Sequence, residues 1–345
     1  MKIRHDTFRK LFPSASSVSV RKTSLNLLPY SQERYLIITA DDFGASKNIS
    51  EGIKIAADKK AITTISAMTN FIESLSELKE ISEDHPEIGI GVHLNIITGK
   101  PVLAVGQVPS LVNSDGNFYS IETLLPELNG ISVDDLRKEL RAQILALANF
   151  DIKLDHLSDQ GGILTLYSPF FEIVMELARE FNVPVRSPVL ASVKYPDLFP
   201  NSKMNRYGRQ IARRFAFNSP FRAIGLLKYT GIDEMEKKMK KLDDLGILHP
   251  GLFVESFWGN PTQSNFLHIL KHLPMGISEV VLHLGTDTRQ ENYPSGLDLD
   301  YFINREKELI TVSENNLKEY ISCLNITTIG YSDIAVHKRL INGSK

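Results

Sequence analysis

One cysteine, Cys323, stands in 345 residues. It excludes an intramolecular disulfide and a cysteine-rich zinc site, and it reads as a small core filler. Neither sign of charge is in excess, since 39 Lys and Arg against 41 Asp and Glu leave a formal net charge of −2. That balance offers no overall attraction for nucleic acid or a membrane, so any anion site must be local. No apolar run approaches the roughly 18 residues of a membrane span. The first 34 residues are basic and Ser-rich and contain no apolar stretch of the about 7 to 15 residues that a secretory signal needs. Residues 1–34 therefore read as a tail or docking arm and the protein as cytoplasmic, with no membrane and no nucleic-acid partner. Internal repeats and low-complexity tracts are also missing. At 42% hydrophobic, the chain can still bury a large core.

From Tyr35 onward, short β-rich runs alternate with helical patterns. The runs are YLIIT, AITTISAMT, IGIGVHLNII, IKLDHL, VPVRS, GLFVES, EVVLHLG and ITTIG, and the helices are expected over 48–59, 73–83, 133–148, 170–181, 263–272 and 300–321. Such alternation predicts parallel strands joined by crossover helices, and about eight strands favour an α/β fold of (β/α) barrel type over an open sheet. Two insertions interrupt it. Residues 98–132 are rich in Gly, Pro, Ser and Asn, and 188–250 carries eleven Lys or Arg between Lys203 and Lys241 against Asp233, Glu234 and Glu236. The second reads as a solvated helical face, with contact to an anionic substrate or partner as the alternative.

In parallel α/β folds, functional groups collect where strands end. YLIITADDFGAS ends the first strand on Asp41 and Asp42. Two adjacent carboxylates need an exposed turn, a cation or a shared proton, and a helix cap is the ordinary explanation. The third run carries His93, the fourth His156 and Asp159, and a late one His283 before a glycine. Each histidine taken singly reads as a satisfied core residue. Together, carboxylate and imidazole from four strands are what a divalent metal site takes. Trp258 is read as core or rim packing, with a platform for a sugar face as the alternative. Glu255, at another strand end, reads as positioning a loop.

The blocks ADDFGAS, AITTISAMTN, IGIGVHLNIITGKP, HLSDQGG and LPMGISEVVLHLG, followed by NREKELITVS and ITTIGYSDI, resemble those of the YdjC/ChbG-like carbohydrate deacetylases, in the same order over about residues 35–336. The resemblance implies a distorted (β/α) barrel of polysaccharide-deacetylase type over 35–345, with inserted loops or helices. It also implies removal of acetyl groups from N-acetylated sugars or oligosaccharides with a divalent metal, Mg2+ or Zn2+, and a homodimer. On the same resemblance Asp41 is the base, Asp42 and His93 are metal ligands, and His283 lies at the active site. The family's His-x-Asp-Ser-His stretch reads HLSDQ here, so Gln160, a neutral oxygen donor, stands where the third ligand is expected, with His156 and Asp159 as other candidates. Leu284 stands where the family has proline.

On this reading a metal lowers the pKa of a bound water, Asp41 takes its proton, and His283, if protonated, delivers one to the departing amine. Two rivals remain. One is a hydrolase of another amide or ester on the same site, and the other a catalytically decayed sugar-binding or regulatory relative, motivated by Gln160 and Leu284.

Overall fold

The computed structural model describes residues 33–199, 203–286, 299–313 and 317–337, so the N-terminal tail lies outside them. Among the described residues, seven parallel strands form one sheet: β1 (Arg34–Phe43), β2 (Thr64–Ala67), β3 (Gly89–Leu94), β4 (Leu154–Asp159), β5 (Leu252–Val254), β6 (Gly276–Leu282) and β7 (Ile326–Thr328). The order is β4-β3-β2-β1-β6-β5, with β7 also on β1. β1 is the axis of the fold. It pairs β6 from Arg34 to Ala40, while its other edge is shared, β7 taking Arg34 to Leu36 and β2 taking Thr39 onward. Its continuous apolar run follows from burial on both faces.

The expected strand VPVRS forms no ladder. Val185 bridges Leu157 of β4, and Leu190 bridges Phe253 of β5. Backbone bonds from Leu157 N to Pro184 O (3.0 Å), Arg186 N to Leu157 O (2.9 Å) and Phe253 N to Val189 O (2.9 Å) make the connection. Residues 184–190 thus stitch the two sheet edges together, and the result is a distorted (β/α) barrel closed by an irregular segment.

Helices cover the outside where the apolar periodicity put them: α1 (Lys47–Asp58), α2 (Leu75–Asp84), α4 (Val133–Ala148), α6 (Ser168–Phe181) and α11 (Gln263–His272), with short α3 (Ile121–Glu127) and α5 (Ile163–Leu166). Ser46, Ser120, Ser132 and Thr262 cap their helices by accepting a backbone N–H. The expected helix over 300–321 is two, α12 (Leu299–Val312) and α13 (Leu317–Cys323). Cys323 is exposed at the end of α13 and so fills no core.

Insertion 98–132 holds α3 among short turns. It is tied down by the fully buried Glu139 of α4, which accepts from Val102 N (2.8 Å) and Leu103 N (3.1 Å). Insertion 188–250 is helical: α7 (Ala191–Lys194), α8 (Lys203–Asn218), α9 (Pro220–Leu227) and α10 (Ile232–Asp244).

Candidate active site

Successive side chains on a strand point to opposite faces, so two neighbouring aspartates should not share a site. At the end of β1 the register shifts between Ala40 and Phe43, and Asp42 adopts φ +73°. A non-glycine residue in the left-handed region is uncommon and marks a backbone held by its surroundings. The kink turns both carboxylates toward one imidazole: His93 Nε2 lies 3.5 Å from Asp42 Oδ1 and 3.8 Å from Asp41 Oδ2.

His93 leaves the end of β3. Its Nδ1 is 2.8 Å from Ser158 Oγ on β4, and its Nε2 is 3.0 Å from Gln160 Oε1 just beyond. When Nδ1 carries the proton and donates it to Ser158 Oγ, three lone pairs meet: Nε2, Gln160 Oε1 and Asp42 Oδ1. Asp42 Oδ1 is buried and accepts no hydrogen bond. A buried carboxylate oxygen without a donor is costly, and a cation in front of it removes the cost. The donor set of one carboxylate, one imidazole and one amide oxygen fits a divalent ion. Among the described residues, no three His, Cys, Asp or Glu side chains converge to hold one, so the third place rests on Gln160.

Two arginines hold the carboxylates. Arg186, from the closing segment, grips Asp41 with two bonds, Nη1 to Oδ2 (2.7 Å) and Nη2 to Oδ1 (2.8 Å). It also reaches Glu279 of β6 (2.8 Å), which in turn accepts from Thr39 Oγ1 (2.7 Å) and Tyr331 Oη (2.6 Å). Burial alone would raise the Asp41 pKa, but Arg186 and then His93 outweigh it and hold the carboxyl below the usual carboxylate range. Arg305 of α12 donates to Asp42 Oδ2, and the Asp42 pKa is lowered in the same way against its burial. Arg186 follows the apolar run VPV, the position that marked the other strand ends, so the same rule applied there finds it. Arg305 sits in the NREKE block with nothing around it to single it out.

His283 follows β6, buried, with its ring 4.3 Å from that of Trp258. Desolvation pushes its pKa down to about 4, against the pull of Asp42. The imidazole is therefore neutral at pH 7 and holds no proton in readiness, which alters the role expected of it. Its backbone N–H donates to Glu308 Oε2 of α12 (2.7 Å). Trp258 is buried at 4% exposure, with His283 on its ring and the Arg305 guanidinium 5.5 Å above it. It packs beneath the site and offers no open face to a sugar.

Two expected candidates do not reach the mouth. His156 shares a face of β4 with Ser158 but lies one layer deeper, where Gly91 leaves room for it. Its Nε2 meets Ser66 Oγ (2.9 Å), its Nδ1 meets Asp155 Oδ2 (3.1 Å), and its ring stacks on Tyr331. Ser66–His156–Asp155 has the connectivity of a nucleophilic triad, yet Ser66 and His156 are fully buried and no substrate reaches them. Asp159 spends both oxygens on α5, accepting from Leu164 N, Thr165 N and Thr165 Oγ1 at 2.6 to 3.1 Å. Glu255 accepts from Ser192 of α7, consistent with holding a loop.

A family model described as "YdjC-like protein" matches residues 35–322. A carbohydrate deacetylase of Clostridium beijerinckii is 25% identical over 300 residues, covering 87% of this chain and 99% of that relative. One of Brevibacillus brevis is 34% identical over 155 residues, or 45% of this chain and 60% of that relative. The crystal structure of an Enterococcus faecalis protein, described as a "putative cellobiose-phosphate cleavage protein", superposes with a TM-score of 0.67 at 21% identity, covering 87% of this chain and 98% of that one. That likeness is one of fold.

Proposed function

This chain belongs to the YdjC-like protein family, and from that premise and the geometry of its strand ends we propose that it is a metal-dependent carbohydrate deacetylase. Its substrate is an acetylated carbohydrate, the class in the names of its relatives, and specifically an N-acetylated sugar or oligosaccharide. The observation that carries the reading is the convergence of Asp42 Oδ1, His93 Nε2 and Gln160 Oε1 beside an Asp41 clamped by Arg186. A divalent cation held by those three donors supplies Lewis acidity, lowering the pKa of a water and polarising an acetyl carbonyl.

The protein's own groups do the rest. Each Asp41 oxygen uses one lone pair on Arg186 and keeps another, with which it accepts a proton from the attacking water. Arg186 keeps Asp41 ionised before the reaction and fixes its direction. Ser158 accepts the Nδ1 proton of His93, so that the opposite nitrogen presents its lone pair. Arg305 occupies Asp42 Oδ2 and leaves Oδ1 for the ion. Because His283 is neutral at rest, the proton that reaches the departing amine comes from Asp41 directly or passes through His283 after the attack.

The test is release of free amine from a panel of N-acetylated mono- and oligosaccharides and of non-sugar amides and esters, in chelator and in added Mg2+, Mn2+ or Zn2+. Metal-stimulated amine release from the sugars supports the reading. Release only from non-sugars makes the chain a hydrolase of another amide or ester, and no turnover with tight sugar binding makes it a binding protein.

A further inference from the structure

Helices α8 and α9 carry apolar side chains that nothing among the described residues covers. Phe217 and Phe221 are each 88% exposed, and Ile224 and Leu227 are 64% and 65% exposed. Phe221, Ile224 and Leu227 recur at every third residue and share one face of α9, while Phe217 closes α8 just before it. This face is not the one that seats the helices. Ile211 and Phe215 are buried, and Leu226, Tyr229 and Ile232 pack against the core. The pair is therefore apolar on an inner side that has its partner and on an outer side that does not.

The charge carried by the helix pair itself is one-signed. Residues 203–232 contain seven Lys or Arg and no Asp or Glu. Arg214 and Arg222 are pinned to Glu122 (3.2 Å) and Glu127 (3.4 Å) of α3, while Arg213, one turn before Phe217, is exposed, and the exposed Lys228 holds its Nζ 4.7 Å from the Tyr229 ring. Insertion 98–132 follows the C-terminal end of β3, insertion 188–250 follows the closing segment, and the two ion pairs hold α8 and α9 against α3. The rest of the charge is segregated. Residues 1–32 hold six Lys or Arg against one acid, and outside the two basic segments 26 basic residues face 40 acidic ones.

We propose that the α8–α9 pair docks this protein on an anionic lipid surface. Phe217, Phe221, Ile224 and Leu227 enter the headgroup and acyl boundary, and Arg213 and Lys228 engage the headgroups. A basic amphipathic helix with protruding aromatic residues has the two attractions such a seat requires, apolar area and charge. The near-neutral total charge hides this, because it averages a positive seat with an acidic body. A second copy meeting the patch across a two-fold axis would set the positive segment against itself, and the N-terminal tail carries the same sign.

The test is co-sedimentation of the full chain with vesicles of phosphatidylcholine alone and of phosphatidylcholine mixed with phosphatidylglycerol, at low and high salt. Light scattering follows the oligomeric state. The expected result is binding to the mixed vesicles, weakened by salt and at least about tenfold weaker on phosphatidylcholine alone. F217S/F221S should lose about tenfold in partition with an unchanged melting temperature, because both side chains are already in solvent, and R213E/K228E should lose binding by charge alone. The proposal is overturned by no binding to the mixed vesicles, by equal binding of F217S/F221S, or by a wild-type dimer that F217S/F221S dissociates, which would mean that a second copy covers the patch.

Discussion

Asp41→Asn keeps the shape of the side chain and one acceptor for Arg186, but removes the charge that takes a proton in the proposed reaction. Turnover should fall by about 10²- to 10⁴-fold. Metal content, read by elemental analysis, should stay at the wild-type level, because Asp42, His93 and Gln160 are untouched. Stability should drop by about 1–3 kcal/mol, since a buried guanidinium loses half of its compensation. Gln160→His replaces an amide oxygen with an imidazole facing His93 Nε2, so Zn2+ affinity measured by competition with a chromogenic chelator should rise by about tenfold or more. Unchanged affinity would mean that position 160 does not face the ion. That Asp41, Asp42, His93 and His283 stand at the ends of strands was legible in the sequence, because each lies where an apolar run ends. The layer a residue occupies was not. His156 and Ser158 are two residues apart on one face of β4, and only packing decides that the first is buried under Tyr331 while the second orients His93.

At the scale of elements, the active-site end depends on how closely helices approach the strand ends. A Cβ placed on Gly52 of α1 would lie 2.6 Å from Gly285 Cα, in backbone that cannot rotate away. Gly52→Ala should therefore force α1 and the turn after β6 apart, costing about 1–3 kcal/mol in urea unfolding. It should also displace His283, two residues before Gly285, and lower kcat more than its effect on the melting temperature would account for. The seven strands and the main helices announced themselves through period and apolar length. The closing segment read as one more strand, VPVRS, and its irregularity did not show, because 184–190 is held by single bridges to β4 and β5 and has no ladder of its own. Insertion 188–250 read as a solvated helical face, and the inner side that seats its helices did not show. In α8 and α9 the apolar residues face both inward and outward, so no single amphipathic stripe separates core from surface.

For the whole molecule, the barrel interior is filled by a polar chain, Asp41–Arg186–Glu279–Tyr331, with Thr39 beside it, and this sets how stability responds to pH. The metal-free protein should lose stability on acidification in two stages. Unfolded His283 binds its proton near the ordinary 6.5, whereas the buried imidazole resists until about 4. The unfolded state thus takes up more protons across that window, and stability falls by up to about 3 kcal/mol as pH drops through it. Below the ordinary carboxylate range Asp41 adds a second loss, since its folded pKa is depressed by Arg186 after outweighing burial. Glu308 acts in the opposite direction. Burial raises its pKa well above 4.5, against the bond from His283 N–H, so the folded state holds the proton longer and stability declines as pH rises through that interval. Between about 4.5 and 6.5 the two contributions oppose each other, so urea midpoints measured across that interval report their difference. His283→Gln should leave the Glu308 contribution, so that the midpoint falls as pH rises through that interval, and Glu308→Gln, which keeps an acceptor for the His283 N–H, should leave the His283 contribution, so that it rises. A profile that neither substitution changes would mean that these buried groups do not hold the protonation states their burial dictates.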